Sequence, residues 1–250
     1  MGNEQRFSGK AAHYDCARPA YADSLLNTLY SECGFSAQSV IADIGSGTGI
    51  FTHQLLQRGS TVYGVEPNAD MRTAGEKRLK AYDKFTSIDG DAAHTNLPNL
   101  SVNIVTAAQA LHWFPLEQFK DECKRILKPN GSVVIIYNQR RNDLINEEID
   151  EVNAGYCDMR SASTGPAFTE LRRQKINDLF DGKFVEIKKS NPLFIDSEKF
   201  IGYWLSRSYA PREGNSRYGD YVSDMSAIFN RYANDGIITI EQDSIAYIGC

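Results

Sequence analysis

The chain has 250 residues, 42% of them hydrophobic, enough to bury a full core and compatible with one α/β domain. Its 27 Lys and Arg against 32 Asp and Glu leave a net charge of −5, which supplies no electrostatic footprint for a nucleic-acid partner. Five scattered cysteines (Cys16, Cys33, Cys123, Cys157, Cys250) include no C-x-x-C pair, which argues for free thiols in a reducing compartment and against a disulfide framework or a zinc site.

The opening MGNEQRFSGKAAHYD is too polar for a secretory signal, and no apolar run approaches the ~20 residues of a membrane span. A cytoplasmic protein with no membrane partner is expected. Pro19 then opens a helix with Ala22, Leu25, Leu26, Leu29, Tyr30 and Cys33 on one face, and Gly34 stops it. SVIADI (39–44) reads as a buried strand, followed after three glycines by a helix carrying Phe51, Leu55 and Leu56. TVYGVE (61–66) is a second strand, and Asn68 is placed to cap a helix through Met71, Ala74 and Leu79. FTSID (85–89) and VNIVTA (102–107) are the third and fourth strands. A helix with Leu116, Phe119, Cys123, Ile126 and Leu127 is expected to end at Pro129-Asn130-Gly131, a turn that delivers a fifth strand, SVVIIY (132–137). This alternation predicts a parallel sheet with helices on both faces, because parallel strands need crossover connections.

Beyond Arg140 the texture is more polar. Residues 143–180 read as helical, with Leu144, Ile145, Ile149 and Val152 as a thin apolar stripe. FVEIKKS (184–190) and GIITIEQDSIAYIG (236–249) are strand-like and flank an aromatic-rich helical insertion over 196–234. No repeat or low-complexity linker divides the chain. One domain is expected over 1–250: an N-terminal lid and helix (1–36), a ligand-binding core (37–140), and a remainder (141–250) that includes the 196–234 cap.

The three glycines of VIADIGSGTGI (40–50) fall where the first strand ends, so something approaches the backbone there closely. A P-loop needs a Gly-Lys-Ser/Thr ending that is absent, and G-x-G-x-x-G fails because Ile50 occupies the required place. The run Asp43…Gly45-x-Gly47-x-Gly49 instead resembles motif I of class I S-adenosylmethionine-dependent methyltransferases. Three further signals follow in order at strand ends: Glu66 before Pro67 and Met71, Gly90-Asp91-Ala92, and Gln109-Ala110-Leu111-His112-Trp113-Phe114. With the opening Phe7…Tyr14…Arg18-Pro19…Tyr21 pattern, the likeness extends over nearly the whole chain and is strongest to the methyltransferase type 11 and trans-aconitate methyltransferase-like group. It implies an α/β, Rossmann-like, doubly wound sheet of seven mostly parallel strands with an antiparallel last strand. An N-terminal helical lid and a helical insertion between the last two strands complete the implied fold.

The resemblance also implies roles. Asp43, Gly45, Gly47, Gly49, Pro67, Met71, Ala92 and Gln109 would line the S-adenosylmethionine site. Glu66 would take the ribose hydroxyls by the logic of dinucleotide sites, and Asp91 the adenine amino group. Tyr14 and Arg18, four apart and so on one helical face, would fold over the cofactor. His112 is a candidate base or donor, with Tyr14 as a second catalytic candidate; the alternative is that the His112 ring anchors a loop. Trp113, Tyr203 and Arg207 are candidates for substrate contact, Arg207 as a carboxylate fork, against a purely packing role for the aromatic stretch that also holds Trp204 and Tyr209. His13, His53 and His94 show no ligand spacing, and no metal is expected.

The Asn/Asp-Pro-Pro-Tyr motif of amino-group methylators and a Pro-Cys nucleophile are both absent, so a small-molecule acceptor is favoured, with a carboxylate-bearing metabolite one reading. A non-catalytic sensor or scaffold that binds S-adenosylmethionine fits the same acids. An NAD-dependent reductase is disfavoured by the glycine spacing. An open acceptor pocket beside the cofactor separates enzyme from binding module.

Overall fold

The computed structural model describes residues 18–156, 166–207 and 210–250. The first half alternates as the hydrophobic pattern demands: α1 (Asp23–Glu32), β1 (Val40–Ile44), α2 (Ile50–Gln57), β2 (Thr61–Val65), α3 (Ala69–Leu79), β3 (Phe85–Ile88), β4 (Val102–Ala108), α4 (Leu116–Ile126) and β5 (Leu127–Arg140). Then come α5 (Leu144–Tyr156), α6 (Pro166–Phe180), β6 (Val185–Ser190), β7 (Leu193–Ile195), α7 (Ser197–Leu205), α8 (Tyr218–Tyr232), β8 (Ile238–Ile240) and β9 (Gln242–Gly249).

Seven strands form one sheet in the order β3-β2-β1-β4-β5-β9-β6. The first five pair in parallel, and β9 runs antiparallel to both β5 and β6. Strand order reverses between β1 and β4, the place where open α/β sheets bind ligands beyond the strands' carboxyl ends. Successive strand residues serve opposite layers. Ile41, Val62, Ile104 and Val134 pack with α1 and α2, while Ala42, Val65, Val105 and Ile135 pack with α4 and α6. That two-sided burial is why these strands read as unbroken apolar runs.

Several expectations need correction. The N-terminal helix begins at Asp23, four residues after Pro19, and Arg18 precedes it outside a helix; the expected helical face shared with Tyr14 lies outside the described residues. Leu25, Leu26 and Leu29 do form its buried face. The Pro129-Asn130-Gly131 turn is a bulge within β5: Val102 pairs with Leu127 and Ile104 with Ser132, so the excursion is taken up inside the pair. Asn130 has the left-handed φ of +65° that such a turn requires. Leu144 stands exposed, leaving Ile149 as the buried member of the α5 stripe. The run 236–249 is two strands parted at Glu241, and β8 pairs with β7 in a separate two-stranded sheet. The insertion therefore carries its own small sheet as well as α7 and α8.

α5, α7, α8 and the β7–β8 pair enclose a core of their own, with Phe200, Trp204, Tyr221 and Met225 at its centre. No helix among the described residues is long and apolar enough to cross a membrane. Among the same residues no group of His, Cys, Asp or Glu could hold a metal ion.

Candidate active site

The loops after β1, β2, β3 and β4 converge on a cavity of about 380 Å³, within the ~300–1,000 Å³ usual for small-molecule sites. Its floor is the glycine turn. Gly45, Gly47 and Gly49 all have positive φ (69°, 57° and 78°), a conformation costly for residues with a Cβ. Their spatial demands differ. A Cβ on Gly45 would stand 2.8 Å from Ala110 Cβ, and one on Gly49 2.7 Å from Leu79 of α3. Only at Gly47 does the side-chain direction stay open, with Met71 Cε at 3.6 Å. Gly49 lies off the cavity wall, at the N-cap of α2.

Two carboxylates shape the turn. Glu66, at the end of β2, accepts the Gly47 N–H through Oε2 and the Asn68 N–H through Oε1, both at 2.9 Å. Asn68 in turn caps α3 by accepting from the Met71 amide. Asp43 is sealed beneath the turn, accepting from Thr52 Oγ1 at 2.6 Å and Thr106 Oγ1 at 2.9 Å. Burial pushes its pKa up to about 6 against the pull of those hydroxyls, and the charge of Glu66 adds to the rise.

Asp91 presents the third acid. Its Oδ1 accepts the Ala93 and His94 amides at 2.7 and 2.8 Å, while Oδ2 takes no hydrogen bond among the described residues. Behind it, Glu122 of α4 accepts from the Thr95 amide (2.7 Å), the Thr95 hydroxyl (2.5 Å) and Arg125. Burial alone would raise the Glu122 pKa, but the hydrogen bonds from Arg125 and Thr95 outweigh it and hold it at about 2.

The other candidates divide cleanly. Arg18, Pro67, Met71, Ala92, Gln109, Trp113 and Tyr203 all reach the wall. Gln109 does so with a left-handed φ of +56°, its side chain donating to the Asn138 carbonyl. His112 is off the wall: its ring packs on Trp113 and its Nδ1 lies 3.5 Å from the Tyr137 hydroxyl. Burial, then the charges of Arg172, Lys175 and Arg18, push its pKa down to about 3. Arg207 is also off the wall, bonded to the Tyr203 hydroxyl and stacked on the Tyr203 and Trp204 rings. Tyr14 and Tyr209 lie outside the described residues.

Sequence reading missed Thr48 and Asn138. Thr48 lines the cavity inside the glycine turn, and its buried hydroxyl has no hydrogen-bond partner among the described residues. Asn138 ends the apolar run of β5, a polar residue at a strand's carboxyl end, which was the available signal. Its amide donates to the Ala20 carbonyl and its Oδ1 accepts from Ser244, clipping the segment that holds Arg18 and Tyr21 beside the cavity.

A family model described as a methyltransferase domain matches residues 42–135. A Dictyostelium discoideum protein named as a methyltransferase is 35% identical over 138 residues, 53% of this chain and 48% of that protein. The chain thus spans about half the length of that curated relative, 48% of it. A solved structure from Anaeromyxobacter dehalogenans, named as a type II methyltransferase, superposes with a TM-score of 0.65 at 20% identity, covering 93% of this chain and 97% of that one. A SAM-dependent methyltransferase from Geobacter sulfurreducens in complex with S-adenosylhomocysteine gives a TM-score of 0.54 at 14% identity, over 95% and 96% of the two chains. At these identities the two structures speak for the fold.

Proposed function

We propose that the chain, whose residues 42–135 match a methyltransferase-domain model, is a class I S-adenosylmethionine-dependent methyltransferase and transfers a methyl group to a small-molecule acceptor bearing a carboxylate. The observation that carries the transfer is the extent of the cavity. It runs from Glu66 and Asp91 past the glycine turn to Trp113, Asn138 and Tyr203 of the cap, the end at which an acceptor would sit. A binding module would have its cap packed shut there.

The residues present fit the cofactor. Glu66 brings a carboxylate to the cavity wall at the end of β2, which suits a pair of ribose hydroxyls. Asp91 offers Oδ2 to the adenine amino group, Pro67 and Met71 offer apolar surface, and the orphaned Thr48 hydroxyl gains a partner. When bound, S-adenosylmethionine supplies an electrophilic methyl on a positively charged sulfur. The protein's task is then to hold an acceptor in line and exclude water, for which positioning supplies most of the acceleration. Trp113, Phe114 and Tyr203 form the apolar wall that does so. His112, off the wall and held neutral, is a poor proton acceptor, so proton removal by this ring is no part of the reading.

The carboxylate rests on Arg18, the basic side chain among the described residues that line the cavity. The test is a transfer assay with labelled S-adenosylmethionine and a small-molecule extract resolved by anion exchange. Label is expected in a product that carries a carboxylate, or in a methyl ester that releases labelled methanol on alkaline hydrolysis. Labelled products with neither property would reject the carboxylate, and cofactor binding without transfer to any fraction would reject catalysis.

A further inference from the structure

Lys175 of α6 stands off the cavity wall, yet it grips the loop that carries part of that wall. Its Nζ donates to two carbonyl oxygens there, Phe114 at 2.6 Å and His112 at 3.4 Å. Burial lowers its pKa, and no neighbouring carboxylate among the described residues offsets that fall. Taking an ammonium out of water is costly unless its donors find acceptors, and the two carbonyls serve as those acceptors.

The loop has a structural reason to need an outside donor. Gln109 opens it with a left-handed φ of +56°, and Leu111–Trp113 is a single 3-10 turn. That turn is closed by the Trp113 N–H on the Ala110 carbonyl and the Phe114 N–H on the Leu111 carbonyl. The next bond of the series would reach the His112 carbonyl from position 115, where Pro115 has no N–H to give. The 3-10 series therefore stops, and Lys175 supplies a donor from a separate helix. α6 is a firm base for it, because Ile176, Leu179 and Phe180 are buried in the same layer as Leu111 and Phe119.

The two gripped carbonyls bracket Trp113, and both Trp113 and Phe114 line the cavity. The Phe114 ring lies 4.9 Å from that of Phe119, centroid to centroid, and a Cβ on Gly45 would stand 3.3 Å from its Cζ. A shift of this loop would thus move an aromatic wall that abuts the glycine turn.

We infer that Lys175 is a positioning residue for the acceptor: by holding the carbonyls of His112 and Phe114, it fixes where Trp113 and Phe114 stand in the cavity. The inference rests on the reading of that end as an acceptor site. Glu66 and Asp91 belong to other loops, so loss of the ammonium should loosen the acceptor wall and spare the cofactor cradle.

The test uses the full chain labelled with 5-fluorotryptophan, whose two tryptophans give two fluorine resonances, assigned by Trp113→Phe. Lys175→Met keeps an unbranched apolar stem and removes the donors, whereas Lys175→Arg keeps charge and donors. In Lys175→Met the Trp113 resonance should shift or broaden while that of Trp204 stays in place. Calorimetry should find S-adenosylhomocysteine affinity within threefold of the parent, and transfer of labelled methyl to a small-molecule extract should fall at least tenfold. Lys175→Arg should recover most of the transfer and return the Trp113 resonance toward its original position. A merely structural lysine would instead lower cofactor affinity and transfer together and disturb both tryptophans. That pattern, an unmoved Trp113 resonance, undiminished transfer, or no recovery by arginine would overturn the inference. If Lys175→Met does not fold, Lys175→Gln, which loses the charge and keeps a shorter donor, takes its place with the same readouts. Failure of the unaltered chain to bind S-adenosylhomocysteine or to transfer methyl would count against the reading of the cavity, and the resonances of the unliganded proteins would still decide whether Lys175 holds Trp113.

Discussion

Glu66 does two jobs with one carboxylate. Both its oxygens already hold backbone amides, Gly47 in the glycine turn and Asn68 at the cap of α3. Hydrogen bonds to a charged group contribute about 1.5–3 kcal/mol each. Glu66→Ala should therefore lower S-adenosylhomocysteine affinity at least tenfold and also lower the melting temperature of the unliganded protein. Calorimetry and thermal melts read the two effects; a loss of affinity with no change in melting would mean that the amide bonds contribute nothing to the turn. Asp43 makes a different prediction. Its folded pKa, about 6, lies above the ordinary 3.8, so between those values the folded state binds more protons than the unfolded one. By linkage its contribution makes stability fall as pH rises from about 4 to 6 and levels off above. Asp43→Asn can still accept one threonine hydroxyl and donate to the other. The stability difference between variant and parent, followed by urea denaturation from pH 4 to 7, should move in the variant's favour as pH rises. A flat difference would show that the carboxylate titrates normally.

At the scale of elements, the cavity is shaped by what stands behind its loops. α4 does not line it, yet Glu122 on α4 ties down Thr95 and so the turn that presents Asp91. Removing one partner of a buried charge pair is costly because the other loses its match, here softened because Arg125 is partly exposed. Glu122→Leu is expected to destabilise the protein, to speed amide exchange at Thr95, and to weaken S-adenosylhomocysteine several-fold without touching the ligand. Unchanged exchange at Thr95 would show that the turn holds itself through Asp91. The depressed Glu122 pKa adds an acid limb of opposite sign to that of Asp43. Its stabilisation is present above the ordinary 4.5 and is lost as pH falls toward about 2.

At the scale of the molecule, the cap is a second core attached to the sheet. Phe200, Trp204, Tyr221 and Met225 share their cluster with none of the residues in the two layers flanking the sheet. Packing units of this kind open separately. Tyr203 of α7 nevertheless reaches the cavity wall, and Arg18 lies over its ring, 6.0 Å from the centroid. Hydrogen exchange should show the cap amides opening together and faster than those of β1 and β4. S-adenosylhomocysteine should slow α7, because a ligand held by the closed form removes the open one by mass action. If α7 exchanges at the same rate with and without ligand, the cap plays no part in closing the site.

The sequence by itself determined the elements of the sheet and the location of the site. The apolar runs of β1, β2 and β4 can be buried on both faces only in a helix-covered sheet, and the glycines, Glu66 and Asp91 are local features at strand ends that need no distant partner to be recognised. Where chain position alone was insufficient, the deciding contacts were distant in sequence. The split of 236–249 depends on β8 finding β7 across the cap, and the β5 bulge depends on its register with β4. Arg207 and Arg172 look alike as letters. The first is spent on the rings of Tyr203 and Trp204, while the second is buried on α6 against Tyr137. His112 likewise carries no mark of its neutrality in the motif around it. That follows from burial and from cations brought to it from α6 and from the segment before α1, because charge and desolvation act through space and not along the chain.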